Sequence, residues 1–588
     1  MTTNTKSFWR LAKLPLAVSL ASTLAAPAFG VTFNIGEIEG QFDSSLSVGA
    51  SWSVRGADPS LVGSRNGGEA SSQTGDDGRL NFKKGETFSK IFKGIHDLEL
   101  KYGDTGVFVR GKYWYDFELK DESRLLYDID DSNRKTAAQS SGVQLLDAFI
   151  YHNYTIGDLP GSVRAGKQVV SWGESTFIQN SINSINPVDV AAFRRPGAEI
   201  KEGLIPVNML YVSQSLTQDV SAEFFYQLEW DQTVLDNCGT FFASDVAADG
   251  CTDRLAFAGS DFNPTGAAGY RYVGRAGDRD ARDSGQFGVA LRWFSEALNN
   301  TEFGLYAMNY HSRTPSASFI NASGVQGSSA NPVTGRDTSS YFLEYPEDIR
   351  LYGLSFATNL GPTALAGEIS HRPNMPISLN STDLTLAAVV PVPSLGSPIF
   401  SSGHATAGAG DEISGYVRKP FTQMQVTATQ FFDQVMGASR LTLVGEVGYN
   451  HISNLNVNEL RFGRSAEYGN GELPTNAICQ GLANPVNPQE CNDKGFFTTT
   501  SWGYRARAIL DYPSAIAGVN LKPNVSWSHD VEGYGPNFNE GSKAISLGLD
   551  ADYQNTYTAS LAYTDFFGGE YNTAIDRDFV ALSFGVNF

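Results

Sequence analysis

The chain has 588 residues, of which 43 are Lys or Arg and 63 are Asp or Glu, for a formal net charge of −20. That balance lacks the basic footprint nucleic-acid binding needs, so nucleic acid is excluded as a partner. Beyond the N-terminus no stretch approaches the ~18–20 apolar residues of a spanning helix. This leaves an exported soluble protein or a β-barrel, whose strands never look strongly hydrophobic.

The first thirty residues carry Lys6, Arg10 and Lys13, no acidic residue, an apolar run from Leu14, and small residues at Ala26, Ala28 and Gly30. A positive start, a short apolar run and a small-residue cut predict a Sec-type signal peptide over 1–30. The run is too short for an anchor and Pro27 interrupts its end. No cysteine near the cut supports a lipoprotein anchor. Loss of three cations takes the charge from −20 to −23, and residues 31–588 are expected to form one barrel.

Strict alternation follows. Ile38, Phe42, Leu46, Val48, Ala50, Trp52 and Val54 share one face, and Gln41, Asp43, Ser45, Ser47, Ser51 and Arg55 the other. Val220, Ala222, Phe224, Tyr226, Leu228 and Trp230 alternate with Ser221, Glu223, Phe225, Gln227 and Glu229. The same period of two runs through 286–293, 441–450, 502–510 and 545–553, the mark of strands with one apolar and one polar face. Charged residues on the polar faces would be costly to bury in a sandwich. A watery lumen leaves them solvated. Strands of ~9–11 residues suit a bilayer crossing, and Trp52, Trp230, Trp293, Tyr449, Tyr504 and Tyr553 suggest aromatic girdles. The expected fold is all-β, a transmembrane antiparallel barrel of roughly 16–18 strands. Gly/Ser/Asn/Asp-rich stretches near 56–79, 236–284, 312–345, 374–416 and 466–496 become long outer loops, and 511–518 and 566–572 tight periplasmic turns.

One segment breaks the alternation. From Glu174 to Glu202 the chain is too apolar for a free loop and too irregular for lipid, so it is expected to fold into the lumen as a constriction or plug, with a short helix near 187–193. Arg194, Arg195 and Lys201 would then face Glu174, Asp189, Glu199 and Glu202, either as a charge-selective eyelet or as mutual braces. Lys167, Trp172, Arg505 and Arg507 complete the candidate lumen residues. Inward aromatics at Phe225, Tyr306 and Tyr310 would offer cargo a surface.

Cys238 with Cys251 and Cys479 with Cys491 form two local pairs, expected as loop-stapling disulfides. Acidic runs at 127–133 and 277–283 lack a calcium-loop pattern. The seven histidines are scattered and no G-x-S-x-G elbow occurs; no catalytic residue, metal or cofactor is expected. The chain ends on "DFVALSFGVNF", whose Val580, Leu582, Phe584, Val586 and Phe588 alternate with small or polar residues. It is expected to pair with the first strand and remove both edges.

"SWGEST", "INPVDVAAFRRPGAEIKEGLIPVNMLY", "FYQLEW" and "EISHRPNMPI" resemble the signature stretches of a large Gram-negative family known mainly as a domain of unknown function. The resemblance implies an outer-membrane barrel, often encoded beside a LolB-like outer-membrane lipoprotein and an RND (MmpL-type) exporter. It also implies movement of hydrophobic or amphipathic molecules across the envelope. Similarity to other barrels implies that Phe584, Val586 and the terminal Phe588 are read by the barrel-insertion machinery. A porin for small organic solutes and a structural or adhesive surface barrel are the alternatives.

Overall fold

The structure, a computed structural model, describes residues 30–251, 254–260, 269–324, 331, 334–395 and 397–588. The expected leader, apart from Gly30, lies outside them. Among the described residues no helix is long and apolar enough to cross a membrane.

Eighteen antiparallel strands close into a barrel. They are β1 Ile38–Ser53, β2 Thr87–Tyr102, β3 Thr105–Asp116, β4 Ser141–Ile156, β5 Leu159–Gln168, β6 Val207–Ser215, β7 Val220–Gln227, β8 Gln286–Ser295, β9 Thr301–Tyr310, β10 Ile349–Leu360, β11 Thr363–Ser378, β12 Tyr416–Asp433, β13 Arg440–Ile452, β14 Thr500–Ile516, β15 Val519–Glu532, β16 Lys543–Tyr553, β17 Tyr557–Phe567 and β18 Phe579–Asn587. The short strand Val31–Ile35 folds back on β1. Closure is made by β18 on β1, from Ser45 opposite Asn587 to Ser53 opposite Phe579. Beyond it, Ser44 and Phe588 exchange both backbone hydrogen bonds, at 2.7 and 2.9 Å. No strand edge is left at the seam.

The alternation sets the two faces of the wall. On β8, Phe287, Val289, Leu291 and Trp293 are 40–47% exposed on the outside, while Gln286 and Ala290 are wholly buried. The strands run from 8 residues in β7 to 18 in β12, so several exceed the ~9–11 needed to cross hydrocarbon and carry the wall past it. Trp230 lies beyond β7 rather than in an outer girdle: its ring meets Tyr345 at 4.7 Å and its indole N–H donates to the Ser312 carbonyl.

Gly30, Phe588 and the short turns, 511–518 among them, share one end of the barrel; the long loops share the other. The turn at 566–572 belongs to the long-loop end, because it follows β17, the partner that leads into β18. The long loops do not dangle. Arg254–Ala258, Arg271–Arg275, Ser316–Ile320, Arg336–Glu344 and Glu412–Ile413, drawn from three loops, build a second, five-stranded sheet. With the helix Ser381–Val389 it forms a dome. Phe319, Tyr341, Leu384 and Ile413 of the dome share one buried cluster with Ile377, Phe421 and Ile452 at the tops of β11–β13. That shared apolar core seats the dome on the barrel. Disulfides join Cys238 to Cys251 and Cys479 to Cys491 within these loops.

Candidate functional site

The connection 169–206, between β5 and β6, enters the lumen and crosses it. Its first limb reaches the far wall. Trp172 is 1% exposed, wedged against Phe225 and Tyr306, and its indole N–H donates to Glu223 at 2.6 Å. The Glu446 carboxylate on β13 accepts the amides of Phe177 and Ile178, and Glu368 on β11 accepts those of Glu174 and Ile182. Arg372, fully buried, donates to the Ser181 carbonyl and to the Tyr310 hydroxyl. This limb, which has no strand pairing of its own, thus has backbone groups satisfied by wall side chains. Gly448 on β13 makes room: a Cβ there would stand 2.6 Å from Ile178.

The second limb returns along β18, β1, β2 and β3. Asp189, wholly buried, caps the helix Val190–Arg194 by accepting the Ala192 amide, and pairs with Lys112 of β3 at 2.8 Å. Lys112 also donates to the Glu202 carbonyl, while the Glu202 carboxylate pairs with Lys93 of β2 at 2.7 Å. A second helix, Ile200–Gly203, is closed by a reciprocal capping box between Glu199 and Glu202. Pro196 packs on Gly49 of β1, where a Cβ would come within 2.8 Å.

The expected charge rings are therefore not opposed across a gap. Asp189 and Glu202 are taken by wall lysines. Lys201 pairs with its neighbour Glu199 at 3.1 Å, and Glu174 sits on the other limb, 3.9 Å from Arg292. Arg194 pairs with Asp236 and donates to the Phe242 carbonyl, whereas Arg195 lies over Trp114 at 4.6 Å and donates to the Ala137 carbonyl. Arg505 pairs with Asp530 at 2.7 Å. Arg507 is paired in register with Val444 and Ser526, and its buried Nε makes no hydrogen bond. Lys167 is opposite Asn208 in register, next to the outward pair Ala165 and Leu210, and so stands on the outer face. Phe225, Tyr306 and Tyr310 do point inward but are 1%, 1% and 5% exposed under the inserted loop, so they hold that loop and offer cargo nothing.

Two of the cavities beside this loop are large enough for a small solute. One, of about 390 Å³, lies against β17 and β18 and is lined by Arg194, Arg195, Ala562, Phe579, Ala581 and Arg577. The other, of about 560 Å³, lies under the dome among Leu255, Phe257, Phe319, Leu343, Val389 and Val390. Arg194, Phe242, Ala574 and Arg577 line both. Around this junction burial pushes Asp236 up despite the pull of Arg194, and pushes Asp245 up to about 6. Burial, reinforced by the neighbouring Arg79, lowers Arg577 to about 9.

Residues 11–588 match a family described as "Protein of unknown function (DUF1302)". The chain belongs to this DUF1302 family. No curated protein matches it. Among solved structures, this DUF1302 barrel is similar at 9% identity to the outer membrane channel DcaP of Acinetobacter baumannii, with TM-score 0.35, covering 95% of this chain and 100% of that one. OccAB3 of Acinetobacter baumannii has TM-score 0.40 at 9% identity, with 93% and 99% covered. OpdK of Pseudomonas aeruginosa, solved with vanillate, has TM-score 0.36 at 9% identity, with 93% and 98% covered.

The wall residues that hold the DUF1302 loop, Glu368, Glu446, Lys93 and Lys112, had one sequence signal, their charge on the inward phase of a strand. Nothing local names their partners, which lie 77 to 270 positions away. Arg577 had no signal: it lies in the connection between β17 and β18, past the stretch 566–572 that reads as a tight turn.

Proposed function

We propose that the protein is an outer-membrane channel for small hydrophobic or amphipathic molecules, with the dome outside and the short turns in the periplasm. The closed barrel supports the membrane setting: its outer wall is apolar, and its polar phase faces inward. One observation carries the cargo class. An apolar cavity under the dome meets a lumenal cavity at a shared set of residues, Arg194, Phe242, Ala574 and Arg577. A mostly apolar pocket with a few convergent polar groups is the usual form of a small-molecule site. A wide general porin has no need of a mostly apolar vestibule.

Purified full-length protein in proteoliposomes tests this. Uptake of a small amphipathic solute should exceed that of a sugar of equal size. Sugar flux equal to or above amphipath flux would favour the general porin instead, and no flux of either would remove the channel.

A further inference from the structure

The barrel wall is closed at its seam, but one backbone edge stands open just beyond it. Past the pair of Ser44 and Phe588, β18 has ended and Val31–Ile35 takes its place beside β1, from Val31 opposite Phe42 to Ile35 opposite Ile38. On the far side no strand follows it. β16 and β17 turn back at Tyr553 and Tyr557, level with Asn587, whose amide donates to the Thr556 carbonyl. In an antiparallel ladder successive residues turn their backbone groups to opposite sides. Ser44 exchanges both bonds with Phe588, so Phe42, Gly40 and Ile38 face the same edge of β1, and Val31, Phe33 and Ile35 face back to them. Thr32 and Asn34 therefore turn their N–H and C=O groups away, and among the described residues no backbone group pairs with them.

Hydrocarbon does not tolerate an open edge, so this one stands at the membrane surface on the side of the short turns. Edges meant to stay bare carry charge, Pro or a bulge; Val31–Ile35 has no charged residue and no Pro, and its register with β1 is regular. Its apolar side chains are also uncovered. Val31 and Ile35 are 52% and 64% exposed, and Ile38 and Phe42 beside them 37% and 36%. They continue the outward apolar phase of β1, while Thr32 and Asn34 share the other face with Gln41 and Glu39. Near that face Glu37, Glu39 and Asp43 outnumber Lys101, which lies opposite Glu39. We propose that this edge docks an extended segment of a periplasmic protein in which apolar residues alternate with basic ones. The segment would pair with the free groups of Thr32 and Asn34, line its apolar side chains up with Val31, Phe33 and Ile35, and turn its cations toward Glu37 and Glu39. Strand addition of this kind takes affinity from the backbone and specificity from alternate side chains. A second copy of the chain would bring like charges together at the same place, which makes it the poorer occupant. The inference goes beyond the channel reading and takes from it only the orientation of the barrel.

The test uses full-length protein in nanodiscs of zwitterionic phospholipid, titrated by fluorescence anisotropy with a capped seven-residue peptide that alternates valine and lysine. That peptide should bind at one site, at least tenfold more tightly than its valine–glutamate counterpart. Methylating all its backbone nitrogens keeps the charge but removes the ladder donors, and should weaken binding at least tenfold. Asn34→Pro removes a backbone N–H that the hairpin does not use and should weaken the lysine peptide as much. Glu37→Lys combined with Glu39→Lys should transfer the preference to the glutamate peptide, with heat-modifiable mobility showing that the barrel is folded. No binding of the lysine peptide, or equal affinity for its plain and methylated forms, would overturn the proposal. So would an unchanged preference after the double charge reversal. Self-association of the protein that Asn34→Pro abolishes would give the edge to a second copy and overturn it as well.

Discussion

The inserted loop is held by buried charge pairs, and breaking one of them has a calculable cost. Asp189→Asn keeps an oxygen to accept the Ala192 amide, so the cap of the helix Val190–Arg194 survives. What it removes is the counter-charge of Lys112, whose side chain is 4% exposed. Stranding one member of a buried pair costs about 3–5 kcal/mol. Part of that is returned here, because Lys112 still donates to the Glu202 carbonyl at 2.8 Å, a charge-assisted bond worth about 1.5–3 kcal/mol. The expected net loss is roughly 2 kcal/mol, confined to the loop's second limb rather than the barrel. Lys112→Met removes the stranded charge, so the double variant should recover most of the loss. Limited proteolysis of the folded barrel, read as protection of 189–203, measures this locally. The single variant should be cut faster by a factor of roughly 30, and the double variant should approach the parent. A single variant as protected as the parent, or a double variant worse than the single, would refute the bracing account.

Arg195→Gln should act mainly on ions, since Arg195 lines the lumenal cavity and is held only by one carbonyl hydrogen bond and its stacking over Trp114. Removing a unit charge about 4 Å from a watery path weakens anion attraction by about 1 kcal/mol. Reversal potentials in planar bilayers should show a fall in anion preference of up to roughly fivefold, with the barrel still folded. Deleting Phe588 removes both backbone hydrogen bonds to Ser44 at the seam, and the yield of heat-modifiable, folded barrel in membranes should fall; a normal yield would count against the seam. Asp245 has its carboxyl pushed up to about 6 by burial. Its folded state therefore takes up a proton more readily than the unfolded chain, and stability around it rises as pH falls from about 6 toward the ordinary carboxylate value. Protection of 236–251 from proteolysis should increase between pH 7 and pH 5, and Asp245→Asn should abolish that increase.

The wall was the legible part of the molecule. A period of two is enforced by the pleat, so Phe287 to Trp293 declared their outward face without knowledge of any partner. The terminal strand had to meet the first because a barrel tolerates no edge. The inserted loop showed itself by losing that period while keeping its apolar residues, and its helix, expected near 187–193, is Val190–Arg194. Contacts made across the lumen left no such trace. Asp189 looked like half of an eyelet because Arg194 and Arg195 are its neighbours in sequence, whereas its partner is Lys112, on another strand. The dome was hidden for a related reason. Its strands are short, pair between loops, and sit in stretches whose Gly and Ser content suggests open coil. The helix Ser381–Val389 is buried on so many sides that it shows no amphipathic stripe.

In the proposed channel, solute uses the lumenal cavity beside the inserted loop, against β17 and β18. Ala562 and Ala581 line that cavity and face each other across those strands. Ala562→Trp fills part of the cavity of about 390 Å³ without touching the loop's anchors at Glu446, Glu368 or Lys112. Amphipath uptake into proteoliposomes, compared between the parent and Ala562→Trp at equal folded protein, is the most direct measurement. The account predicts robust uptake by the parent and its loss in the variant. Equal uptake by both would place the path elsewhere and contradict it.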